Sequence, residues 1–307
     1  MKAITYTSFG APLQLVDVDE PKLGPDSVRI AVRASSVNPV DHGIHAGGLD
    51  GVLDTFFPVV PGWDVAGVVE EVGPAITHLA PGDEVFGYVR KDAVFGGTLA
   101  EKVAAPARTV AKKPANASFA EAGAIPLAGL TAFQALVHTL DVGPDDTVLI
   151  HGASGGVGSF AVQIAASLGA RVIGTASQSN HAYLRGLGAE PVVYGDGLVE
   201  RVRDIAPDGV TAVLDLNGGD LDASPHVLAD RSAGRIASIV DPAVKQMGGH
   251  YVFVTPDVDD LEELADLFDD GSVRVEIAAT FSLAETQAAW DLSKDGHTRG
   301  KIVITVP

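Results

Sequence analysis

The chain has 307 residues, of which 46% are hydrophobic, so it is long enough to form two domains with buried cores. It contains no cysteine, which excludes disulfides, thiolate nucleophiles and zinc sites built on sulfur. The formal net charge of -19 disfavours binding to nucleic acid or to an anionic membrane surface. No stretch approaches the ~20 apolar residues of a membrane span, and the first residues lack the apolar run of a signal peptide. We therefore expect a cytoplasmic protein.

The chain up to residue 118 has the pattern of short strands separated by turns. Alternating apolar runs lie at residues 27–32, 65–72 and 99–103, and Gly, Pro and Asp separate them. This pattern predicts an antiparallel β domain.

The pattern changes to strands alternating with helices after Pro114. Ser118 and Glu121 have the spacing of a capping box, and helical apolar spacing follows over residues 120–139 with a break at Pro126. Beyond this point the sequence predicts strands at Thr147–His151, Arg171–Thr175 and 212–216, with helices ending at Leu168 and near Gly188. Further elements are predicted at 251–254 (an edge strand), 261–268 and 284–292 (helices) and 301–306 (a closing strand). Such alternation indicates a parallel sheet with helices on both faces.

The strongest local signal is the run TVLIHGASGGVG at residues 147–158, a buried strand that enters a glycine-rich turn before a helix. Three of its glycines have the spacing G-x-x-G-x-x-G, a variant of the dinucleotide-binding fingerprint. Glycines let the backbone approach a pyrophosphate, whose charge the N–H groups at the helix N-terminus bind. A glycine-rich turn can instead serve close packing alone, but the strand–turn–helix–strand context favours nucleotide binding. The residues expected to bind the cofactor here are Gly152, Ser154, Gly155, Gly156, Val157 and Gly158.

The nucleotide is predicted to be NADP(H) because no acidic residue stands at the end of the second strand of this strand–helix pattern. NAD-preferring sites carry an acidic residue about 20 residues past the first glycine. Residues 147–189 contain no Asp or Glu, although acids make up 40 of the 307 residues. We expect the polar groups at the end of this strand to bind a 2′-phosphate, the alternative being a simple polar turn. They are Thr175, Ser177 and Asn180, with Ser179, His181 and Arg185 as further candidates.

Taken together, these features resemble the medium-chain dehydrogenase/reductase superfamily, and within it the quinone oxidoreductase or zeta-crystallin-like branch. Besides the glycine-rich turn, the matching motifs are SVNPVD at 36–41, PVVPGWDVAGVVEEVG at 58–73, PGDEVFG at 81–87 and GKIVIT at 300–305. The resemblance implies an α/β protein whose active site lies in a cleft between two domains. One is a GroES-like β domain of residues 1–118 and 272–307. The other is a Rossmann domain with a doubly wound parallel sheet, residues 119–271.

The chain departs from the superfamily pattern where zinc enzymes bind their metal. Zinc alcohol dehydrogenases place a Cys at the position of Asn38, a His at that of Trp63 and a second Cys near Pro126. Asp64 keeps an acidic residue, but one carboxylate does not form a zinc site. The resemblance therefore implies a zinc-free enzyme with no metal site. Without a Lewis acid an isolated carbonyl is hard to polarise, whereas a quinone or enone delocalises the incoming charge.

The resemblance also implies roles for residues of the β domain. Asn38 would lie beside the nicotinamide, while Asp41, His42 and Trp63 would line the cleft, with His42 as the proton donor. For Asn38 the alternative is an ordinary Asn-Pro turn. The spacing of His42 and His45 suggests a metal pair, but a polar loop histidine is the favoured interpretation.

Three further residues are assigned to the cofactor. Thr131 would lie beside the nicotinamide, Asn217 in the turn 217–219 would close over the cofactor, and Lys301 would reach it. Each has an alternative. Thr131 would be a helical residue bonded to its own backbone, the residues 217–219 an ordinary turn, and Lys301 a charged residue at a strand end.

The sequence thus predicts an NADPH-dependent oxidoreductase that passes hydride to a small quinone or α,β-unsaturated carbonyl. One alternative is an enoyl or alkenal reductase of a biosynthetic or detoxification pathway, which shares the mechanism. Another is a low-turnover NADPH-binding sensor or structural protein. The absence of loop tyrosines that some relatives use supports this alternative, whereas the intact nucleotide and cleft motifs weigh against it. An uncovered apolar edge at 251–254 predicts pairing with a second subunit and hence a homodimer.

Overall fold

The computed structural model describes residues 1–230, 235–296 and 298–307. Within these ranges no helix combines the length and the apolar character needed to cross a bilayer. The strands, in chain order, are β1 (Lys2–Thr5), β2 (Gln14–Asp17), β3 (Ser27–Val37), β4 (Asp54–Val60), β5 (Asp64–Val72), β6 (Glu84–Tyr88), β7 (Ala93–Gly96), β8 (Lys102–Pro106), β9 (Val110–Lys112), β10 (Thr147–His151), β11 (Arg171–Thr175), β12 (Ala189–Val192), β13 (Ala212–Asp215), β14 (Ile236–Ser238), β15 (His250–Tyr251), β16 (Ile277–Ser282) and β17 (Lys301–Thr305).

The helices are α1 (Pro39–His45), α2 (Phe119–Ala124), α3 (Pro126–Phe133), α4 (Gly156–Ser167), α5 (His181–Leu187), α6 (Leu198–Ile205), α7 (Ser224–Val227), α8 (Val258–Asp269) and α9 (Thr286–Lys294). A π-helical stretch, Gln134–Thr139, directly follows α3. The chain divides into two compact units. Unit 1 comprises Met1–Leu130, Thr255–Asp270 and Val275–Pro307, and unit 2 comprises Thr131–Val254 and Gly271–Arg274.

The main sheet of unit 1 has the strand order β16-β17-β3-β5-β6-β9, with β8 also paired to β3. Strand β3 runs antiparallel to both β5 and β17. The end of β3 therefore lies beside the starts of the other two strands. This register brings Asn38, which follows β3, to the same end of the sheet as Asp64 and Lys301, which begin β5 and β17. The core under the sheet consists of buried aliphatic residues, including Val28, Ile30, Val32, Val65, Val69, Val85 and Val103.

Unit 2 holds a parallel six-stranded sheet of order β12-β11-β10-β13-β14-β15. This is the strand order of Rossmann folds, in which ligands bind at the carboxyl ends of the strands where the order reverses. Here the order reverses between β10 and β13. Their last residues, His151 and Asp215, are register partners, so the turns that follow both strands lie at the predicted ligand-binding edge.

Most predicted elements are confirmed. Ser118 caps α2 with a reciprocal Glu121 contact, and the helical stretch breaks at Pro126 as expected. Strands β10 and β11 have the predicted bounds, and Gly188 ends α5 in the left-handed conformation. These elements rest on local signals, because caps, breakers and buried strands act within a few residues.

Several strand predictions need correction at their ends. The run 27–32 continues to Val37, and the predicted strand 212–216 ends at Asp215. The run 99–103 is a strand only from Lys102, because Leu99 bonds instead to the backbone of Pro61 and Ala100 forms an isolated bridge with Ala3. The predicted strand 301–306 ends at Thr305. The edge strand 251–254 is His250–Tyr251, although its place at the edge of the sheet is as predicted.

The units differ from the predicted domains at three places. Residues 119–130 and 255–270 belong to unit 1, and residues 272–274 belong to unit 2. Helix α2 packs on β3 so closely that a Cβ at Gly123 would lie 3.0 Å from the Ala34 side chain. The carboxylate of Asp269, at the end of α8, accepts the N–H groups of Ala115 and Asn116, both at 2.8 Å. These contacts attach both helical segments to the β unit.

Candidate functional site

The glycine-rich turn after β10 is built by two positions that only glycine fits. Gly152 has φ +71°, and its N–H donates to Thr175 Oγ1 at 3.0 Å. A Cβ at Gly158 would lie 2.3 Å from the Gly152 carbonyl oxygen, whereas one at Gly155 would lie 3.4 Å from it. The helix therefore packs directly on the turn because Gly158 has no side chain, and Gly155 is less constrained.

Helix α4 begins at this turn with unsatisfied backbone donors. Its N-cap is Gly155, and no side chain caps it. The nearby Ser159 hydroxyl instead bonds back to the Gly156 carbonyl at 3.0 Å. Residues 154–157 are half-buried, so they are partly open to solvent. Uncapped N–H groups at the positive end of a helix dipole bind an anionic group such as a pyrophosphate.

The polar turn after β11 lies against the glycine-rich turn. Asn180 Nδ2 donates to Ser154 Oγ at 3.2 Å and to Ser177 Oγ at 3.4 Å. The buried Nε2 of His181 has no partner among the described residues. Thr175 is fully buried and holds Gly152, so it supports the turn rather than facing a ligand. Predicted nucleotide residues from both turns are thus brought together.

The turn at residues 217–219 is fixed by a carboxylate that the sequence analysis did not single out. Asp215 is fully buried, and its Oδ1 accepts the N–H groups of Asn217 and Gly218 at 3.3 and 2.9 Å. Its Oδ2 accepts the Ser238 hydroxyl at 2.7 Å. A Cβ at Gly152 would lie 3.4 Å from the Asn217 Cβ. Asn217 therefore sits beside the glycine-rich turn, as a residue that contacts the same ligand must.

A buried polar cluster lies at the end of the unit 1 sheet. Asp64 Oδ2 accepts the Ser36 hydroxyl at 2.5 Å and Asn38 Nδ2 at 2.8 Å, while its Oδ1 accepts the Leu127 N–H at 2.7 Å. Lys301 Nζ donates to Asn38 Oδ1 and lies 3.7 Å from Asp64 Oδ2. Every polar atom of the Asn38 side chain is thus held in a fixed orientation.

The cluster contains a second carboxyl group with unusual acidity. Asp41 Oδ2 accepts the Asn38 N–H at 2.8 Å, and the residue is 3% exposed. Burial, which penalises the charged form, raises the pKa of Asp41 to about 7. The Asn38 hydrogen bond and Lys301 oppose this shift, while Asp64 adds to it. Burial also lowers the pKa of Lys301, against the attraction of the two carboxylates.

These donor atoms do not fit a zinc ion. Both oxygens of Asp64 already accept hydrogen bonds, and the Lys301 ammonium occupies the space beside it. Trp63 offers an indole N–H, which can donate but not ligate. No cluster of three or more His, Asp or Glu side chains able to hold a metal occurs in the part of the chain that the structure describes.

His42 and His45 face different neighbours. The His42 ring packs edge-on against Trp290, with centroids 5.0 Å apart, and neither ring nitrogen has a partner among the described residues. Burial, with Lys294 and His45 as lesser causes, lowers the pKa of His42 to about 4. His45 Nε2 lies 2.7 Å from the Ala11 carbonyl oxygen. At neutral pH His42 is therefore uncharged, which does not suit the predicted proton donor.

A small cavity adjoins the polar cluster within unit 1. Its volume is about 20 Å³, and Tyr6, Asp41, Trp63 and Lys91 are among the residues that line it. Sequence reasoning missed Tyr6 and Lys91, which lie outside the motifs. A lone tyrosine in the first strand region and a loop lysine carry no local signal. Thr131, the remaining predicted site residue, is 4% exposed and belongs to unit 2.

Comparisons with known proteins agree with this architecture. A family model described as an alcohol dehydrogenase GroES-like domain matches residues 24–115. Another, described as a zinc-binding dehydrogenase, matches residues 187–304. The first matches the β unit, and most of the second covers the later part of the Rossmann sheet.

Similar proteins cover nearly the whole chain. A chloroplast envelope quinone oxidoreductase homolog of Arabidopsis thaliana is 31% identical over 99% of this chain and 98% of its own. A chloroplastic NADPH-dependent alkenal/one oxidoreductase of the same plant is 33% identical over 99% of this chain and 79% of its own. A mycobacterial protein solved as a complex with NADPH is 30% identical, with a TM-score of 0.84 and 99% of both chains covered.

Proposed function

This chain belongs to the quinone oxidoreductase branch of the medium-chain dehydrogenase/reductase superfamily, and we propose that it reduces quinones and α,β-unsaturated carbonyls with NADPH. The main support for this proposal is that three features of unit 2 lie next to one another. They are the glycine-rich turn after β10, the uncapped N-terminus of α4 and the polar turn after β11, which contains no acidic residue. Relatives are described as quinone and alkenal/one oxidoreductases.

The residues around the glycine-rich turn fit a dinucleotide phosphate. The Gly158 position admits no Cβ, and the first turn of α4 offers its N–H groups. Ser154, Ser177 and Asn180 form one hydrogen-bonded group next to it, with no carboxylate in residues 147–189. We propose that the α4 N-terminus holds the pyrophosphate and that this polar group holds the 2′-phosphate, with Asn217 and Lys301 as further cofactor contacts. A relative solved with NADPH supports this choice of nucleotide.

When bound, NADPH supplies the hydride. The protein then has to position the acceptor and stabilise the charge that develops on its oxygen. We propose that Asn38, Asp41, His42, Trp63 and Thr131 contact the substrate or the nicotinamide. Asn38 suits the task best, because Lys301 and Asp64 fix its amide in one orientation and so remove the cost of ordering it during the reaction.

We propose that the reaction needs no zinc, despite the zinc-binding description of one matching family. Asp64 is fully engaged by hydrogen-bond donors, and an ammonium lies 3.7 Å from it, where a divalent cation would be repelled. The acceptors that suit such a site are those in which hydride reaches an electrophilic carbon and charge spreads to a distant oxygen. Quinones and enones meet this requirement, whereas simple ketones and aldehydes do not.

We further propose a cytoplasmic homodimer. Strand β15 is a two-residue strand at the edge of the unit 2 sheet. Near it Val240 and Phe253 are 46% and 41% exposed. An apolar sheet edge of this kind is a natural place for the same edge of a second subunit to pair. Sedimentation at micromolar concentration tests this, and a species of 31.5 kDa would contradict it.

NADPH oxidation at 340 nm against a panel of acceptors tests the proposed function. The panel contains 1,4-benzoquinone, 9,10-phenanthrenequinone, an alkenal, a crotonyl thioester and a simple ketone, with NADH and EDTA controls. We expect turnover of quinones or enones that is unaffected by EDTA and faster with NADPH than with NADH. Tight NADPH binding without turnover of any acceptor would contradict the proposal and favour a sensor or structural role. EDTA-sensitive turnover of the ketone would contradict its zinc-free part.

A further inference from the structure

The small cavity in unit 1 joins three polar side chains. Tyr6, Asp41 and Lys91 all line it. Tyr6 is 1% exposed, and its hydroxyl has no hydrogen-bond partner among the described residues. The volume of about 20 Å³ is enough for one water molecule, and a buried water needs two to four polar partners. This cavity provides such partners.

The carboxyl group of Asp41 is held on one side only. Its Oδ2 accepts the Asn38 N–H, and no described residue donates a hydrogen bond to Oδ1. Asp64 on β5 disfavours a charge on Asp41, while Lys301 on β17 favours one. Burial and then the charge of Asp41 raise the pKa of Tyr6. The pKa of Tyr88 is raised mainly by burial, which Arg90 opposes and to which Asp64 and Asp41 add. Because burial of Asp41 dominates and raises its pKa to about 7, a large fraction carries a proton at neutral pH.

Lys91 links the cavity to solvent. The side chain is half-buried, Nζ donates to the Gly96 carbonyl at 2.6 Å, and it lies 4.8 Å from the centre of the Phe95 ring. Burial lowers the pKa of Lys91 to about 8. An amine with this pKa gains and loses a proton readily near neutral pH, as a relay group must.

We propose that Asp41 donates the proton that completes the reduction of an enone, and that the cavity between Tyr6 and Lys91 returns a proton to it. This inference rests on the proposed function. Hydride addition to the β-carbon of the enone leaves an enolate, whose α-carbon takes the Asp41 proton. The products are the saturated carbonyl compound and the Asp41 carboxylate. A water in the cavity, oriented by the Tyr6 hydroxyl, then protonates the carboxylate and takes a proton from the Lys91 ammonium, which regains one from solvent.

A comparison of quinone and enone turnover distinguishes proton donation by Asp41 from hydride transfer. A reduced quinone carries its charge on oxygen, which water protonates rapidly, whereas an enolate must be protonated at carbon and depends on a positioned acid. Asp41→Asn keeps an oxygen that accepts the Asn38 N–H but removes the acidic proton. We expect kcat with an enone to fall by about 10²- to 10⁴-fold. The loss with a quinone should be at least about tenfold smaller, since only the carbon protonation needs the acid.

The pH dependence of kcat distinguishes proton donation by Asp41 from a purely structural role, which would leave this dependence unchanged. Because the protonated form of Asp41 is active, kcat with an enone should fall as pH rises above about 7, and Asp41→Asn should lack this limb. Asp50→Asn, an exposed acid beyond α1, is the matched control and should keep both rate and profile. Tyr6→Phe keeps the ring contacts with His45 and Phe57. It should lower kcat with the enone about tenfold, less than loss of the acid itself.

An equal loss with quinone and enone in Asp41→Asn, or an alkaline limb that persists, would overturn the inference. So would an unchanged enone rate in Tyr6→Phe, which also decides the matter if Asp41→Asn does not fold. Quinone turnover by the unmodified protein tests the proposed function separately. If the unmodified protein reduces quinones but Asp41→Asn does not lose enone turnover selectively, only the role of Asp41 as proton donor is rejected.

Discussion

Lys301 donates a hydrogen bond to the side-chain oxygen of Asn38 across 263 positions of the chain. Because an ammonium group can only donate, the bond fixes the amide with its oxygen toward Lys301 and its nitrogen toward Asp64. The remaining N–H of the Asn38 amide is then the donor it can offer to a ligand. The relationship exists because β3 and β17 are antiparallel neighbours.

Removing this ammonium should destabilise unit 1. In Lys301→Met the Asp64 carboxylate keeps its place in a fully buried site but loses the nearest cation. Breaking a buried ion pair from one side costs about 3–5 kcal/mol. Urea unfolding should show a loss of this order, while Lys112→Met, at an exposed position, should change the free energy of unfolding by less than about 0.5 kcal/mol. Similar losses in both variants would contradict the account of the cluster.

The acidity of Asp41 should make stability depend on pH. Its pKa is raised from 3.8 to about 7 in the folded protein. The folded state binds this proton more tightly than the unfolded chain does, so the contribution to stability is complete below about pH 4 and is lost as pH rises toward about 7.

Asn at this position cannot ionise. The free energy of unfolding of Asp41→Asn, relative to the unmodified protein, should therefore increase between about pH 4 and pH 7 and be level above that. Urea titrations at several pH values measure the difference, with Asp50→Asn as the control. A difference that does not change with pH would show that folding does not raise the pKa of Asp41.

The two glycines of the nucleotide turn should respond differently to a methyl group. In Gly158→Ala the Cβ would lie 2.3 Å from a backbone oxygen that cannot move freely, so α4 has to shift away from the turn. In Gly155→Ala the nearest atom is 3.4 Å away. We expect the Kd for NADPH, measured by fluorescence titration, to rise more than about tenfold in the first variant, or 1.4 kcal/mol. The second should change it less, and the reverse order would contradict the predicted site.

A carboxylate in the polar turn should change the choice of nucleotide. Asn180→Asp preserves the size of the side chain but replaces the Nδ2 donor to Ser154 and Ser177 with a negative charge. This charge repels a 2′-phosphate and accepts hydrogen bonds from ribose hydroxyls. The ratio of kcat/KM for NADPH over NADH should fall. Gln246→Glu, at an exposed position outside both turns, serves as the matched control, and an equal fall there would assign the effect to net charge alone.

Local signals made the Rossmann half predictable from sequence. The glycine spacing, the capping pair Ser118 and Glu121 and the helix-ending Gly188 act within a few residues, and all three occur where expected. Strand β12 was missed because it contains Glu190 and Pro191, which strands disfavour except at an edge. Its place in the sheet comes from parallel pairing with β11, which no local pattern records.

The polar cluster was only partly predictable for the same reason. Asn38 and Asp41 lie in one motif, but their environment comes from Asp64 and Lys301 on other strands. The raised pKa of Asp41 follows from burial, which depends on the finished fold. His42 was a reasonable proton donor by residue type, yet burial lowers its pKa to about 4 and keeps it neutral. The sequence thus indicated which segment carries the chemistry, and tertiary packing determines which side chain can perform it.

Transfer of a labelled hydride is the strongest test that NADPH reduces the enone directly. The protein is incubated with an enone and NADPH deuterated at the C4 position, and the product is analysed by mass spectrometry and NMR. We predict one deuterium at the β-carbon from one of the two C4 epimers, with the α-carbon hydrogen coming from solvent. A reduced product without deuterium from either epimer, or the label at the α-carbon, would contradict direct hydride transfer from NADPH.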